Sequence, residues 1–217
     1  MSESIVYNMD CMEGMKQYED NHFDLAIVDP PYGSVGKNDP EVHRLGNAGA
    51  WAKKNDVTKI KEWDEAPTQA YWDELFRVSK NQIVWGGNYF NLPPTRCFVV
   101  WRKPNVPENF SMAMAEYGWT SFYDNAKVYE ITSQGQKHRF HPTQKPVELY
   151  KWLLKNYAKE GDKILDTHLG SGSSRIACYD MGYDFVGYEI DKTYYDLQEQ
   201  RYKEHTSQIN MFIDMGV

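Results

Sequence analysis

The stretch from Lys163 to Glu189 constrains this chain more than any other part of it. Lys163-Ile164-Leu165-Asp166 is an apolar run closed by an acid and reads as a buried strand. Thr167 to Gly172 follows as a tight turn, with Gly170 and Gly172 flanking Ser171, and Ser173 to Met181 reads as a helix. The next strand, Asp184 to Val186, runs into Gly187-Tyr188-Glu189. A strand, a glycine turn, a helix and an acid closing the following strand make a mononucleotide-binding half of an α/β fold. Glycines let the backbone approach a ligand closely. The helix N-terminus offers free N–H groups to an anion. A carboxylate at Glu189 can accept both hydroxyls of a ribose. Arg175 stands where a dinucleotide fingerprint places its third glycine, which disfavours NAD or FAD.

The rest of the chain repeats the alternation of β-rich runs and helical patterns, the mark of a mostly parallel sheet. Seven strands are predicted: Ile5 to Tyr7, Asp24 to Val28, Gln82 to Trp85, Cys97 to Trp101, Ala126 to Ile131, Lys163 to Asp166 and Asp184 to Glu189. Five helices are predicted: Met12 to Tyr18, Pro67 to Ser79, Val147 to Tyr157, Ser173 to Met181 and Thr193 to Thr206. The expected fold is a Rossmann-like α/β sheet with helices on both faces. At 217 residues, 41% hydrophobic, the chain has room for one such sheet, so residues 1–217 are expected to form a single domain.

Composition narrows the function classes. The net charge of −7 disfavours non-specific coating of nucleic acid, so any positive footprint must be local. The N-terminus has no apolar core of signal-peptide length, and the apolar runs are too short to span a membrane. Cys11, Cys97 and Cys178 are too scattered for a disulfide framework or a paired metal site, and the six histidines lack metalloprotease spacing. A cytoplasmic, metal-free protein is expected.

A second motif closes another strand. Phe23 to Val28 ends in Asp29-Pro30-Pro31-Tyr32-Gly33. In open α/β sheets, ligands sit off the carboxyl ends of strands. Two consecutive prolines remove two N–H donors and stiffen the loop, leaving carbonyls that nothing local can pair. Asp29 adds a carboxylate and Tyr32 a flat ring. Acceptors beneath a stacking surface suit a planar group bearing an –NH₂.

Two stretches break the alternation. Residues 33–66 are polar and long for a connection, and carry Lys53 and Lys54, which reads as a functional loop. Residues 133–146 carry Lys137, Arg139 and Lys145 without an acid. A solvated loop explains such a run, and its place beside two nucleotide-site motifs also suits phosphate contact.

These motifs together resemble the DNA amino-methyltransferases. Asp29-Pro30-Pro31-Tyr32 is similar to their catalytic motif, and Asp166 to Ser174 to their cofactor motif. The segment from His141 to Leu149 resembles the one that helps hold the cofactor's methionine end, and Asn8-Met9-Asp10-Cys11 the loop that frames its adenine. The catalytic motif precedes the cofactor motif, the permuted order of the β-class enzymes, which are mostly adenine-specific.

The resemblance implies S-adenosyl-L-methionine as cofactor and the N6 amine of adenine in double-stranded DNA as target, in DNA methylation of the restriction–modification kind. Asp29 and the Pro30 carbonyl would accept the amine's hydrogens, Pro31 would stiffen the loop, and Tyr32 would stack on the flipped base. Asp10 and Cys11 would border the cofactor's adenine, and Thr143 and Lys145 its methionine end. Asp166, Gly170, Ser171 and Gly172 would pass beneath it, with Asp29 at its edge and Glu189 on the ribose. Lys53, Lys54, Lys137 and Arg139 would contact DNA.

Three departures qualify the match. His168 stands where an aromatic is usual in the cofactor turn. A recognition insert before His141 is reduced to about residues 133–140. No C-terminal DNA-binding domain is expected, so base reading falls to residues 33–66, to a homodimer or to a partner subunit. The alternatives are the N4 amine of cytosine, an RNA or protein glutamine target, and a catalytically silent cofactor-binding subunit.

Overall fold

The computed structural model describes residues 2–33, 65–109, 113–133, 139–141 and 143–214, with side chains to residue 207. Eight strands form one sheet there: β1 Ser4–Tyr7, β2 Phe23–Val28, β3 Ser79–Trp85, β4 Phe98–Arg102, β5 Ala115–Thr120, β6 Lys127–Glu130, β7 Lys163–Asp166 and β8 Asp184–Tyr188. Their order is β1-β8-β7-β2-β3-β5-β4-β6. Every neighbouring pair is parallel except the two that β5 makes with β3 and β4.

The seven expected strands are all present, and β5 is the eighth. Sequence reasoning passed over it because Gly118 interrupts the β-forming run Ala115–Thr120. A glycine inside a strand marks a close approach: a Cβ on Gly118 would lie 2.5 Å from Val99 Cγ2 and 3.4 Å from the Trp85 ring. The residue is glycine because the neighbouring side chains fill its space.

Five helices are described: α1 Cys11–Met15, α2 Gln69–Val78, α3 Val147–Tyr157, α4 Ser173–Met181 and α5 Lys192–Asp214. The bounds of α3 and α4 are as expected, whereas α5 runs eight residues past Thr206. Helix α1 stops short of Tyr18. Helix α2 starts after Pro67, with Thr68 at its N-cap, and hands over directly to β3 at Ser79.

Alternation along the strands splits the core in two. Leu25, Ile27, Ile83, Trp85, Ile164 and Phe185 pack against α3 and α4 on one face. Ala26, Val28, Val84 and Leu165 pack against α1 and α2 on the other. Strands covered on both faces read as near-continuous apolar runs, as Phe23–Val28 does. Each fully buried Leu or Ile contributes about 1.5–3 kcal/mol, so the central strands are held firmly.

The topology has one switch point. From β7 the chain proceeds to β8 on one side, and from β2 it proceeds to β3 on the other. The β2–β7 register, Leu25 beside Ile164 and Ala26 beside Leu165, sets the ends of both strands side by side. The crevice outside the carboxyl ends of strands at such a point is where α/β sheets bind ligands.

Candidate active site

The turn after β7 is held by its own backbone. Gly170 and Gly172 have φ of +52° and +72°, values that only glycine adopts without strain. A Cβ on Gly170 would lie 3.1 Å from the His141 ring, which packs edge-on against Tyr194 with centroids 4.4 Å apart. Gly172 caps α4, and the Ser171 and Ser173 hydroxyls lie 3.2 Å apart beside it. Inside the turn, Asp166 Oδ1 accepts from the His168 amide at 3.0 Å and Oδ2 from the Ser174 hydroxyl at 2.6 Å. Neither donor is charged, and burial pushes the Asp166 carboxyl up to about 7.

Glu189 stands at the end of β8 with both oxygens fixed. Oε2 accepts from the Gly170 amide and Oε1 from the Asp191 amide, each at 2.8 Å. A carboxylate oxygen has more than one lone pair, so this geometry orients Glu189 and leaves it able to accept further donors. Asp10 is exposed and caps α1, accepting from the Met12 amide at 2.8 Å. Cys11 beside it is buried, and burial pushes its thiol up to about 12. Thr143 is exposed, with its hydroxyl 3.2 Å from His141 Nδ1.

His168, where an aromatic was expected, packs edge-on against Tyr71 with centroids 5.5 Å apart. The Thr167 hydroxyl bridges the His168 ring nitrogen at 2.9 Å and the Tyr71 hydroxyl at 2.7 Å. Burial pushes His168 down to about 4, so the ring is neutral at physiological pH.

The second corner follows β2. Asp29 Oδ1 accepts from the Tyr32 hydroxyl at 3.0 Å, and Oδ2 from Lys145 Nζ at 2.5 Å. The Tyr32 ring stacks on Tyr89, with centroids 4.7 Å apart and planes 26° apart, and Tyr89 is half exposed. The close approach of Tyr32 requires Gly86, whose added Cβ would lie 2.2 Å from that ring.

Lys145 does more than touch Asp29. Its ammonium also lies 3.2 Å from Glu116 Oε2 and 5.4 Å from the centre of the Trp85 ring. Glu116 in turn pairs with Lys103, which stands over the Trp101 ring. The side chains of Lys145 and Lys103 are only 3% and 5% exposed, so their charges depend on these partners. Burial pushes the Lys145 ammonium down, and the Asp29 and Glu116 carboxylates more than offset it. For Glu116 burial pushes up, and the two lysines hold the carboxyl below its usual range. For Asp29 burial pushes up and prevails over the pull of Lys145.

The structure thus gathers Asp29, Tyr32, Lys145, Gly170, Ser171, Gly172 and Glu189 around the carboxyl ends of β2, β7 and β8. Arg139 is exposed and within electrostatic reach of Glu116. Lys53, Lys54 and Lys137 lie outside the described residues, as do residues 34–64 of the expected DNA-contacting loop. The ends of that segment meet, since a Cβ on Gly33 would lie 2.5 Å from Ala66 Cβ. Tyr71, Tyr89, Lys103 and Glu116 were not foreseen. In sequence, Tyr71 looks like an ordinary helix-core residue, and nothing near Glu116 announces a lysine from 29 residues downstream. Among the described residues no group of three or more His, Cys, Asp or Glu could hold a metal ion, and no helix is long and apolar enough to cross a membrane.

Residues 96–200 match the model of a DNA methylase family. The Type II methyltransferase M2.MboI of Moraxella bovis is 26% identical over 248 residues, covering 93% of this chain and 88% of the relative. Solved structures share the fold. A Thermus thermophilus protein complexed with S-adenosyl-L-methionine superposes with a TM-score of 0.61 at 15% identity, covering 93% of this chain and 94% of that one. The PvuII DNA methyltransferase, cytosine-N4-specific, superposes with a TM-score of 0.62 at 12% identity, covering 99% and 94%.

Proposed function

We propose that the chain is a DNA methylase of the family whose model matches residues 96–200, and that it uses S-adenosyl-L-methionine to modify the N6 amine of adenine, on a base turned out of the duplex. The observation that carries this reading is the Asp29 carboxylate, fixed at the end of β2 beside the glycine turn of β7. Cytosine-amine enzymes more often carry serine at this position, and aspartate favours adenine.

The residues of the turn fit the cofactor. Glu189 is pre-oriented by two amides and can still accept from ribose hydroxyls. Gly170, Ser171 and Gly172 present backbone without side-chain bulk beneath the ligand, with Asp166 holding the turn from inside. Asp10 and Cys11 border the adenine, and Thr143 lies toward the methionine end. S-adenosyl-L-methionine supplies a methyl group on a positively charged sulfur.

The target amine is a poor nucleophile because its lone pair is delocalised into the ring. Asp29 and the Pro30 carbonyl accept its two hydrogens, which lets the nitrogen pyramidalise and frees its lone pair for the methyl group that the bound cofactor would supply. When bound, the cofactor would supply the methyl carbon and keep the carbon–sulfur electron pair, and the amine would lose one proton to solvent. Catalysis is then mainly orientation and placed acceptors. Tyr32 and the loop of Pro30 and Pro31 hold the base.

The duplex is contacted in part through Arg139, and a second copy or a partner chain completes the grip. A monomer in light scattering, both free and on duplex DNA, with full activity would contradict the second point. The N4 amine of cytosine is a second reading, favoured by the fold match to the PvuII enzyme. Incubation with labelled cofactor and mixed duplex DNA, followed by nucleoside analysis, separates the two. N6-methyladenine is the expected product. N4-methylcytosine would overturn the base and keep the acceptor geometry, and unlabelled DNA would overturn the transfer itself.

A further inference from the structure

The acceptor Asp29 is the first link of a chain of alternating charges, Asp29–Lys145–Glu116–Lys103. The four come from four places: the end of β2, the segment before α3, the second residue of β5, and the residue after β4. The antiparallel course of β5 explains the meeting. Trp85 pairs with Gly118 and Trp101 with Glu116, so β5 begins at the edge where β3 and β4, which run against it, end.

We propose that Lys145 and Glu116 are positioning residues for the methyl-transfer step. Lys145 locks Asp29 Oδ2 and opposes the protonation that burial favours, leaving Oδ1 to receive the target amine, while Glu116 draws on the same ammonium and limits its hold. The inference rests on Asp29 being the amine's acceptor. In the present geometry Oδ1 is occupied by the Tyr32 hydroxyl, so the incoming amine replaces or shares that bond.

The expected direction follows from charge. A carboxylate accepts more strongly than the neutral acid, whose O–H donates instead, so activity is present above the Asp29 pKa and falls as pH falls through it. The charged and titratable groups around Asp29 are Tyr32 on its own loop, Lys145, Glu116 on β5, Tyr150 on α3 and Asp166 at the end of β7. Lys103 and Arg139 face Glu116, and His141 faces Lys145. Removing the Lys145 charge leaves burial unopposed and raises the Asp29 pKa. Removing the Glu116 charge lowers it, because a repelling carboxylate is gone and Lys145 turns wholly to Asp29.

The test is kcat/KM for duplex DNA against pH for the wild type, Lys145→Met, Lys145→Arg and Glu116→Gln, beside cofactor titration by calorimetry. The acid limb of such a profile reports the free enzyme. Lys145→Met should move it up by about 1–3 pH units, the range an opposite charge in contact is worth. Glu116→Gln should move it down by less, and Lys145→Arg should restore it toward the wild type. Cofactor affinity should change by less than threefold in all of them. Should Lys145→Met not fold, the double variant Glu116→Gln/Lys103→Met still decides, because it removes the repelling carboxylate without leaving the buried Lys103 ammonium unpaired. Slower rates with an unmoved acid limb, or both limbs moving the same way, would overturn the inference. If Asp29→Ala turns over normally, the acceptor assignment itself fails, a result distinct from an unmoved limb in an enzyme that needs Asp29.

Discussion

Two buried aspartates at the ends of neighbouring strands are both pushed up by burial and are partnered differently. Asp166, closing β7, is satisfied by a backbone amide and a serine hydroxyl from within eight residues, and burial pushes it up to about 7. Asp29, following β2, meets an ammonium from 116 residues away, itself held by a second carboxylate. The first corner is a local construction of glycines, amides and one short helix. The second is assembled from four separate segments. A site whose partner is a ligand can be built from backbone, which is always present to donate. A site that must keep a carboxylate ionised out of water needs a countercharge, and a buried countercharge needs its own partners.

The largest effect expected across this contrast is on turnover. Asp29→Ala should lower the single-turnover rate on duplex DNA by about 10²–10³-fold, the scale of losing one placed transition-state contact. Cofactor affinity, read in a parallel titration, should move by less than threefold. Near-normal turnover would dissolve the distinction between the corners.

Asp166 supplies the next test. Its carboxyl is raised from an ordinary 3.8 to about 7, so the folded state holds the proton more tightly than the unfolded one. That contribution is fully present below about pH 4 and is lost as pH rises to about 7. Asp166→Asn keeps an acceptor for the His168 amide and removes the titration. Denaturant melts from pH 4 to 7 should lose part of their downward slope in the variant. An unchanged slope would place Asp166 with the charge-compensated groups.

Glu189→Ala should weaken cofactor binding by about 1–3 kcal/mol, as expected for a charged hydrogen bond. It also leaves the Gly170 and Asp191 amides unpaired. Calorimetry with unchanged affinity would remove Glu189 from the ribose.

The smallest effect separates backbone strain from function within the local corner. Gly170 and Gly161 both have positive φ, +52° and +85°. A Cβ at Gly170 would crowd His141, whereas nothing lies within 4 Å at Gly161. Alanine at either should cost about 1–2 kcal/mol of stability from the left-handed backbone. Only Gly170→Ala should also weaken the cofactor. Equal cofactor affinity in both variants would mean that the turn needs glycine for its shape alone.

The sequence by itself determined the sheet's central strands, the α3 and α4 bounds, the glycine turn, Glu189 and the Asp29 loop. Each is written in consecutive residues: an apolar run buried on both faces, a positive φ that only glycine takes, an acid closing a strand. The tertiary structure alone decided that β5 is a strand, because Gly118 is legible only beside Val99 and Trp85. It alone decided where Lys145 goes. The basic run around Lys145 reads as a solvated loop or a phosphate contact in sequence, and the resemblance sets Lys145 near the cofactor's methionine end; the structure pairs its ammonium with Asp29 and Glu116. The physical reason is range. Turn geometry and strand burial are set by neighbours along the chain. The partner of a buried charge is set by which strands end at the same edge, and an antiparallel β5 brings Glu116 to the edge where β2 delivers Asp29.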